Sequence, residues 1–322
     1  MEYRIGAEDG GKTVGEFARH VAGLSAATVR HLKFTENGIT VNGNHVTVRY
    51  LLSCGELLSL AFEDTEPQER LAPVELPLAI AYEDSELVLP DKPAEMPTHP
   101  SHGHYDDTVA NALAFRYAAT GIPFVFRPIN RLDRNTSGLL MIARNRRAAA
   151  TLSAHMREGR IRKQYLAVLE GTPPKEEGVI ETYLRRTANS VILRENCREG
   201  EGGDYARTLY RVLVQNGHHS VCLASPETGR THQLRVHFAG VGAPIVGDDL
   251  YGTCSPLIPR HALHAASLTF PHPTDGRSVR VTAPLHGDMQ ALIQALFSEA
   301  EIRQAQDACA SLGIPFFDRN EE

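Results

Sequence analysis

The apolar positions of the first sixty residues follow short alternating patterns rather than one long period. Thr13-Val14-Gly15-Glu16 reads as a capping box, and Val14, Phe17, Ala18 and Val21 then recur at helical spacing. Ser25 is placed to cap a second short helix carrying Val29 and Leu32. The runs GITVNG and HVTVRY read as strands joined through Asn42-Gly43-Asn44, and GELLSLAF supplies another. The acidic stretch from Glu63 to Glu75 contains two prolines and breaks the pattern. The expected organisation is a small module over residues 1–65, a linker over 66–77 and a larger domain over 78–322.

In the larger part, strand patterns are LAIAY, ELVLP, GLLMIAR, QYLAVLEG, TLYRVLVQ, HSVCLAS, SLTF and SVRVTAP, with Asn216-Gly217 as a hairpin signal. Helical spacing covers Thr108–Ala119, Arg146–Glu158 with Gly159 as its stop, Thr231–Ala239 with Gly240 as its stop, and Asp288–Glu299. Strands and helices do not alternate regularly. The pattern predicts an α+β fold with a largely antiparallel mixed sheet flanked by helices.

The chain has 322 residues, 42% of them hydrophobic and 22% charged, a globular composition with room for more than one domain. No apolar run reaches the length of a membrane span, and MEYRIGAEDG lacks a signal-peptide core, so a cytoplasmic setting is expected. Cys54, Cys197, Cys222, Cys254 and Cys309 are scattered and odd in number, which argues against a disulfide framework and a four-cysteine zinc site. His218-His219, His232 with His237, and His261 with His264 invite a metal reading, as in a zinc hydrolase. No HExxH or paired cysteine supports it, and no metal is expected.

A net charge of −6 excludes nucleic-acid binding by bulk charge but not by a local face. Such a face is visible. Arg127, Arg131, Arg134, Arg144, Arg146, Arg147, Arg157, Arg160, Arg162 and Lys163 are opposed only by Asp133 and Glu158. Within this stretch, Arg131-Leu-Asp133-Arg134-Asn-Thr-Ser-Gly138 sets a carboxylate between two arginines, before a turn and an apolar strand. Neighbouring cations favour the ionised form of a carboxylate, and such a group can attack a sugar carbon. A salt-bridged loop residue is the ordinary alternative.

RLDRNTSGLL resembles the signature of the RluA/RluD-type pseudouridine synthase family. Four further segments match in order: Asp91-Lys92-Pro93-Ala94 with His99-Pro100; Lys163-Gln-Tyr165-Leu-Ala167; Thr228-Gly-Arg-Thr-His-Gln-Leu-Arg235-Val-His237 with Gly247-Asp248 and Tyr251-Gly252; and Leu263-His264-Ala265 with Phe270-Pro-His272-Pro273. The match spans roughly residues 78–285. It implies an RNA-modifying isomerase with Asp133 as nucleophile, acting without cofactor or metal. The N1–C1′ bond of a uridine breaks, the uracil turns, and C5 joins C1′. It also implies Arg235 as partner of the catalytic carboxylate, and Tyr165 as the ring stacked on uracil and a shuttle for the C5 proton. Arg131 would enter the RNA beside the flipped base with Arg134 flanking the nucleophile. Leu234 would lie beside the base, and Lys92 and Lys163 would make phosphate or structural contacts. The implied partner is RNA, with large-subunit ribosomal RNA expected first and tRNA second, and a monomer is the expected working unit. The N-terminal module resembles the small RNA-binding domain shared by a ribosomal small-subunit protein and many tyrosyl-tRNA synthetases. Three positions depart from the family pattern: Asn130 replaces a His, Asn135 an Asp and Glu95 a Gly. A relative that binds RNA but has lost the chemistry would be free to lose Asp133, Tyr165 or Arg235, and all three are present.

Overall fold

The computed structural model describes residues 2–22, 24, 26–61, 71–121, 124–190 and 192–317. The expected cap at Ser25 and residues 66–70 of the expected linker lie outside the described residues.

The first part builds a four-stranded antiparallel sheet. Glu2–Arg4 pairs with Leu57–Leu60, which pairs with Ile39–Val41, and Asn44–His45 closes the edge. Thr13 caps the turn Val14–Glu16 through the expected reciprocal box with Glu16. The helix Ala26–Phe34 also belongs here. Ile5, Val14, Phe17, Leu32, Ile39, Leu52 and Leu58 fill a separate core. The expected strand HVTVRY is corrected: only Asn44–His45 pairs, because the chain turns again at Val48-Arg49 and the Gly15 and Val14 amides take the Val48 and Tyr50 carbonyls.

The rest is organised by a twelve-stranded mixed sheet. Its path runs Arg194–Cys197, Glu177–Arg186, Asp204–Gln215, His219–Pro226, Arg162–Glu170, Leu263–Pro271, Ser137–Leu139, Leu87–Lys92, Ile142–Ala143 and Arg127–Pro128. Ser278–Thr282 adds to Leu263–Pro271, and Ala79–Glu83 to Leu87–Lys92. Every described pairing is antiparallel except one. Ser137 and Gly138 lie parallel to His264 and Ala265. The hairpin expected at Asn216-Gly217 forms. Gly217 has φ +85°, and the Asn216 side chain accepts the His218 and His219 amides.

Helices cover the sheet. Arg146–Arg157, capped by Asn145 and stopped at Gly159 (φ +69°), packs Ala148 and Leu152 against Leu89, Leu139 and Phe270. Val109–Ala118, Gln233–Gly240 and Gly287–Leu296 contribute Leu113, Phe238 and Leu292 to the larger core cluster. The single helix expected over Asp288–Glu299 is corrected: it ends at Leu296, Phe297 is extended, and Ser298 with Glu301 caps a new helix, Glu299–Ser311. The expected strand GLLMIAR is also interrupted, into Ser137–Leu139 and Ile142–Ala143, which both pair with Leu87–Lys92.

Candidate active site

The Asp133 turn is fixed residue by residue. Leu132 is buried in the core, and its backbone is clamped by one hydroxyl: Thr98 Oγ1 donates to the Leu132 carbonyl (3.1 Å) and accepts the Leu132 amide (3.4 Å). The Asp133 carbonyl accepts the Thr136 amide at 3.0 Å. Thr136 Oγ1 meets His261 Nε2 at 2.8 Å, and Ser137 Oγ meets His264 Nδ1 at 2.9 Å. The buried Arg260 donates to the Asn135 carbonyl (3.1 Å) and to Ser137 Oγ (3.2 Å). Gly138 has φ +102°, and a Cβ there would sit 2.4 Å from the Ala265 carbonyl oxygen. The close parallel strand therefore requires glycine. With Leu132 turned inward, Arg131 and Arg134 face solvent, and the Asp133 side chain is 30% exposed.

A second element meets this turn. His232 begins the helix Gln233–Gly240 with φ +58°. Gln233 pins that start, accepting from Thr228 Oγ1 (2.7 Å) and the Arg230 amide (3.0 Å) and donating to the Arg207 carbonyl (3.0 Å). Arg235 is nearly sealed and forms a bidentate pair with Asp248: Nε to Oδ2 at 2.7 Å, Nη2 to Oδ1 at 2.6 Å. Its remaining nitrogen, Nη1, lies 3.8 Å from Asp133 Oδ2. His232 Nε2 lies 3.9 Å from the same oxygen, and its Nδ1 is 2.8 Å from the Tyr251 hydroxyl. Burial raises the Asp248 pKa, but the hydrogen bond and charge of Arg235 outweigh it and hold this carboxyl below its usual range. Burial pulls His232 below the usual histidine value against the attraction of Asp133, which favours the neutral ring.

Among the described residues, the cation-forming groups within 4 Å of the Asp133 carboxylate are therefore Arg235 and His232. The flanking Arg131 and Arg134 do not reach it. Arg134 Nη1 instead sits 3.3 Å from His104 Nε2. Other arginines of the basic run are paired internally: Arg144 with Glu83, Arg147 with Glu86 and Arg160 with Glu158.

Tyr165 lies in the strand Arg162–Glu170, between Ala224 and Ala265 in register, and shares its core cluster with Leu234. Burial, and then the charge of Asp133, push its phenol pKa up, so the hydroxyl keeps its proton at neutral pH. Lys92 is fully buried and gives its three donors to the carbonyls of Pro93 (2.8 Å), Met96 (2.9 Å) and Arg134 (2.8 Å). Burial and the nearby Arg260 lower its pKa to about 7. Lys163, lowered by burial to about 8, donates inward to the Thr228 carbonyl at 3.1 Å. Of the phosphate and structural roles expected for the two lysines, this geometry fits the structural one.

The departures have local consequences. Asn130 Oδ1 accepts the Met141 amide at 2.8 Å, while its Nδ2 and the Asn135 Oδ1 are buried without a partner. Glu95 has φ +65°, a conformation that costs an ordinary side chain roughly 1–2 kcal/mol and glycine almost nothing. His232, Asp248, Tyr251 and Arg260 are the residues that sequence reasoning left without a role. The first three lie inside the quoted motifs, and Arg260 carries no local signal.

Residues 86–240 match the family described as RNA pseudouridylate synthase. The uncharacterized RNA pseudouridine synthase YjbO of Bacillus subtilis (strain 168) is 35% identical over 282 residues, covering 88% of this chain and 98% of the relative. The ribosomal large subunit pseudouridine synthase D of Zymomonas mobilis is 37% identical over 238 residues, covering 70% and 74%. Among solved structures, human RNA pseudouridylate synthase domain containing 1 is 28% identical with a TM-score of 0.55, over 79% of this chain and all of that one. Human RNA pseudouridylate synthase domain containing 4, at 22% identity and a TM-score of 0.57, over 68% and 92%, shares the fold. With the motifs in order, the mixed sheet beneath them and relatives matched over most of their length, the chain belongs to the RluA/RluD-type pseudouridine synthases, isomerases that act on RNA.

Proposed function

We propose that the chain isomerises a specific uridine in structured RNA, large-subunit ribosomal RNA in the first place, with Asp133 as nucleophile. The observation that carries this reading is the Asp133 carboxylate itself: partly exposed on a rigid turn, 3.8 Å from a guanidinium that Asp248 holds from behind. A carboxylate so placed is accessible to the sugar of an extruded nucleotide and fixed in aim. In the reaction the N1–C1′ bond breaks and the C5–C1′ bond forms, the C5 proton is lost and N1 gains one. No cofactor is called for.

Tyr165 keeps its proton in the free protein, which supports stacking on the uracil over abstraction of the C5 proton. Leu234 shares its cluster and is suited to the same face of the base. Arg131 and Arg134, exposed on either side of Asp133, are suited to the phosphates around the extruded nucleotide. We assign catalysis to residues 78–322, a linker to 66–77 and an RNA-binding role to the module over 1–65, in a monomer. Ribosomal RNA is preferred to tRNA because relatives from Zymomonas mobilis and Nitrosomonas europaea carry the name ribosomal large subunit pseudouridine synthase D.

The test is Asp133→Asn and Asp133→Ala, assayed for pseudouridine in ribosomal RNA and for RNA binding. Loss of product with binding retained is expected. A parent-like rate in either variant would overturn the assignment. Carbodiimide mapping of cells with and without the gene identifies the target by the site that disappears.

A further inference from the structure

We propose that Tyr105 is a stacking platform for a nucleotide that flanks the target uridine, an inference that rests on the uridine-isomerase reading above. Tyr105 is 64% exposed on the loop Pro97–Asp107, which is otherwise tightly braced. Ser101 and His104 exchange both backbone hydrogen bonds at 2.9 Å, with Gly103 at φ +81° in the turn. Thr98, in the same loop, makes the clamp on Leu132 beside Asp133. The Tyr105 carbonyl is held by Asn111 Nδ2 at 3.1 Å.

The adjacent His104 joins this loop to the catalytic turn. A guanidinium can only donate, so His104 Nε2 accepts from Arg134 (3.3 Å), and Nδ1 then carries the proton donated to Asp107 (2.5 Å). Tyr105 is thus fixed by its neighbours on both sides while its ring stays in solvent. Other exposed tyrosines are different: the Tyr50 hydroxyl bonds Glu56 and the Tyr205 hydroxyl bonds Glu181, whereas the Tyr105 phenol meets no protein partner among the described residues.

The surrounding charges define the ligand. His99, His102 and Arg134 are exposed around the loop and suit RNA, while Asp106 beside Tyr105 is unsuited to a phosphate at that point. A base face is the chemistry left for the ring. Extruding one nucleotide unstacks its neighbours, and an aromatic that replaces the lost stacking offsets part of that cost without reading sequence.

The chain contains no tryptophan, so Tyr105→Trp introduces a single reporter on the loop. Its emission should be quenched on titration with a ribosomal RNA fragment. Tyr105→Ala should raise KM for that RNA roughly 5- to 150-fold, the range given by alanine replacement of a stacking ring, with kcat and Tm near the parent's. Tyr105→Phe should restore the parent KM. Unchanged tryptophan emission at saturating RNA, or a parent-like KM for Tyr105→Ala, would overturn the inference. If the parent itself makes no pseudouridine, the functional reading fails instead, and the quenching still reports on the platform.

Discussion

Replacing Asp248 tests whether the guanidinium facing Asp133 is held from behind. Arg235 and Asp248 are both almost fully buried, at 5% and 1% side-chain exposure, and share two short hydrogen bonds. Asp248 Oδ1 also accepts the amides of Leu250 (3.0 Å) and Tyr251 (3.1 Å). Asp248→Ala removes the buried counter-ion of this guanidinium and leaves it the more exposed Asp249 (Nη2 to Oδ1 at 3.3 Å) and Asp133, a loss of up to about 3–5 kcal/mol. At roughly 2–4 °C per kcal/mol for a domain of this size, Tm should fall on the order of 10 °C. Asp248→Asn keeps an acceptor for the two amides and removes the charge, so it should fall between. The folded pKa of Asp248 is depressed, so its contribution is complete above the ordinary carboxylate value of 3.8 and is lost as pH falls through the lower folded value. The Tm gap between parent and Asp248→Asn should therefore be constant near neutrality and close below pH 3.8. Product formation, followed at a temperature where both proteins are folded, should drop on the order of 100-fold, as a misplacement of about 1 Å predicts. A variant with parent-like Tm and rate would refute the claim that Asp248 aims Arg235.

Two further outcomes follow from buried contacts. Lys92→Met strips three carbonyls of their donors and should cost about 2–4 kcal/mol by urea titration. The Lys92 pKa falls from 10.5 to about 7 on folding, so the penalty for burying its charge is complete below pH 7 and relaxes as pH rises. The parent should gain on the variant between pH 7 and 9, and an unchanging gap would count against this. Gly138→Ala forces a Cβ to within 2.4 Å of the Ala265 carbonyl at φ +102°, and should cost more than about 3 kcal/mol in thermal melts. Gly276→Ala, at φ +69° with open space around it, should cost only about 1 kcal/mol, and equal melting points for the two would refute the argument.

The sequence announces elements whose signals are local. The Thr13–Glu16 box, the Asn216-Gly217 hairpin and the stop at Gly159 all form as their patterns require. The long strands failed to announce themselves where the pattern is polar. Glu177–Arg186 has one buried residue, Leu184, because its exposed side chains are engaged in cross-strand ion pairs such as Arg207 with Glu181. The helix break at Phe297 is likewise hidden, since the helical spacing read from Asp288 runs through Ser298 to Glu299, and the cap that Ser298 forms with Glu301 lies at and beyond its end. At the site, the motifs identify Asp133, Tyr165 and Arg235, and the fold sets Arg235 within 4 Å of Asp133. Of the two cation-forming groups that face the carboxylate, Arg235 is implied by the motif resemblance alone, and His232 was not legible. Adjacency in sequence favoured Arg131 and Arg134, but the burial of Leu132 turns both outward, and only the tertiary fold brings Arg235 and His232 to that oxygen.

The single parallel pairing among the described residues, Ser137–Gly138 against His264–Ala265, has a consequence for biosynthesis. The Asp133 turn is buttressed by Arg260, His261 and His264, which are translated long after it. A nascent chain that has exposed the Asp133 segment but not yet the strand Leu263–Pro271 has no frame for the turn. Competence thus arrives late in synthesis, and incomplete polypeptides released early would carry the carboxylate without the geometry that aims it.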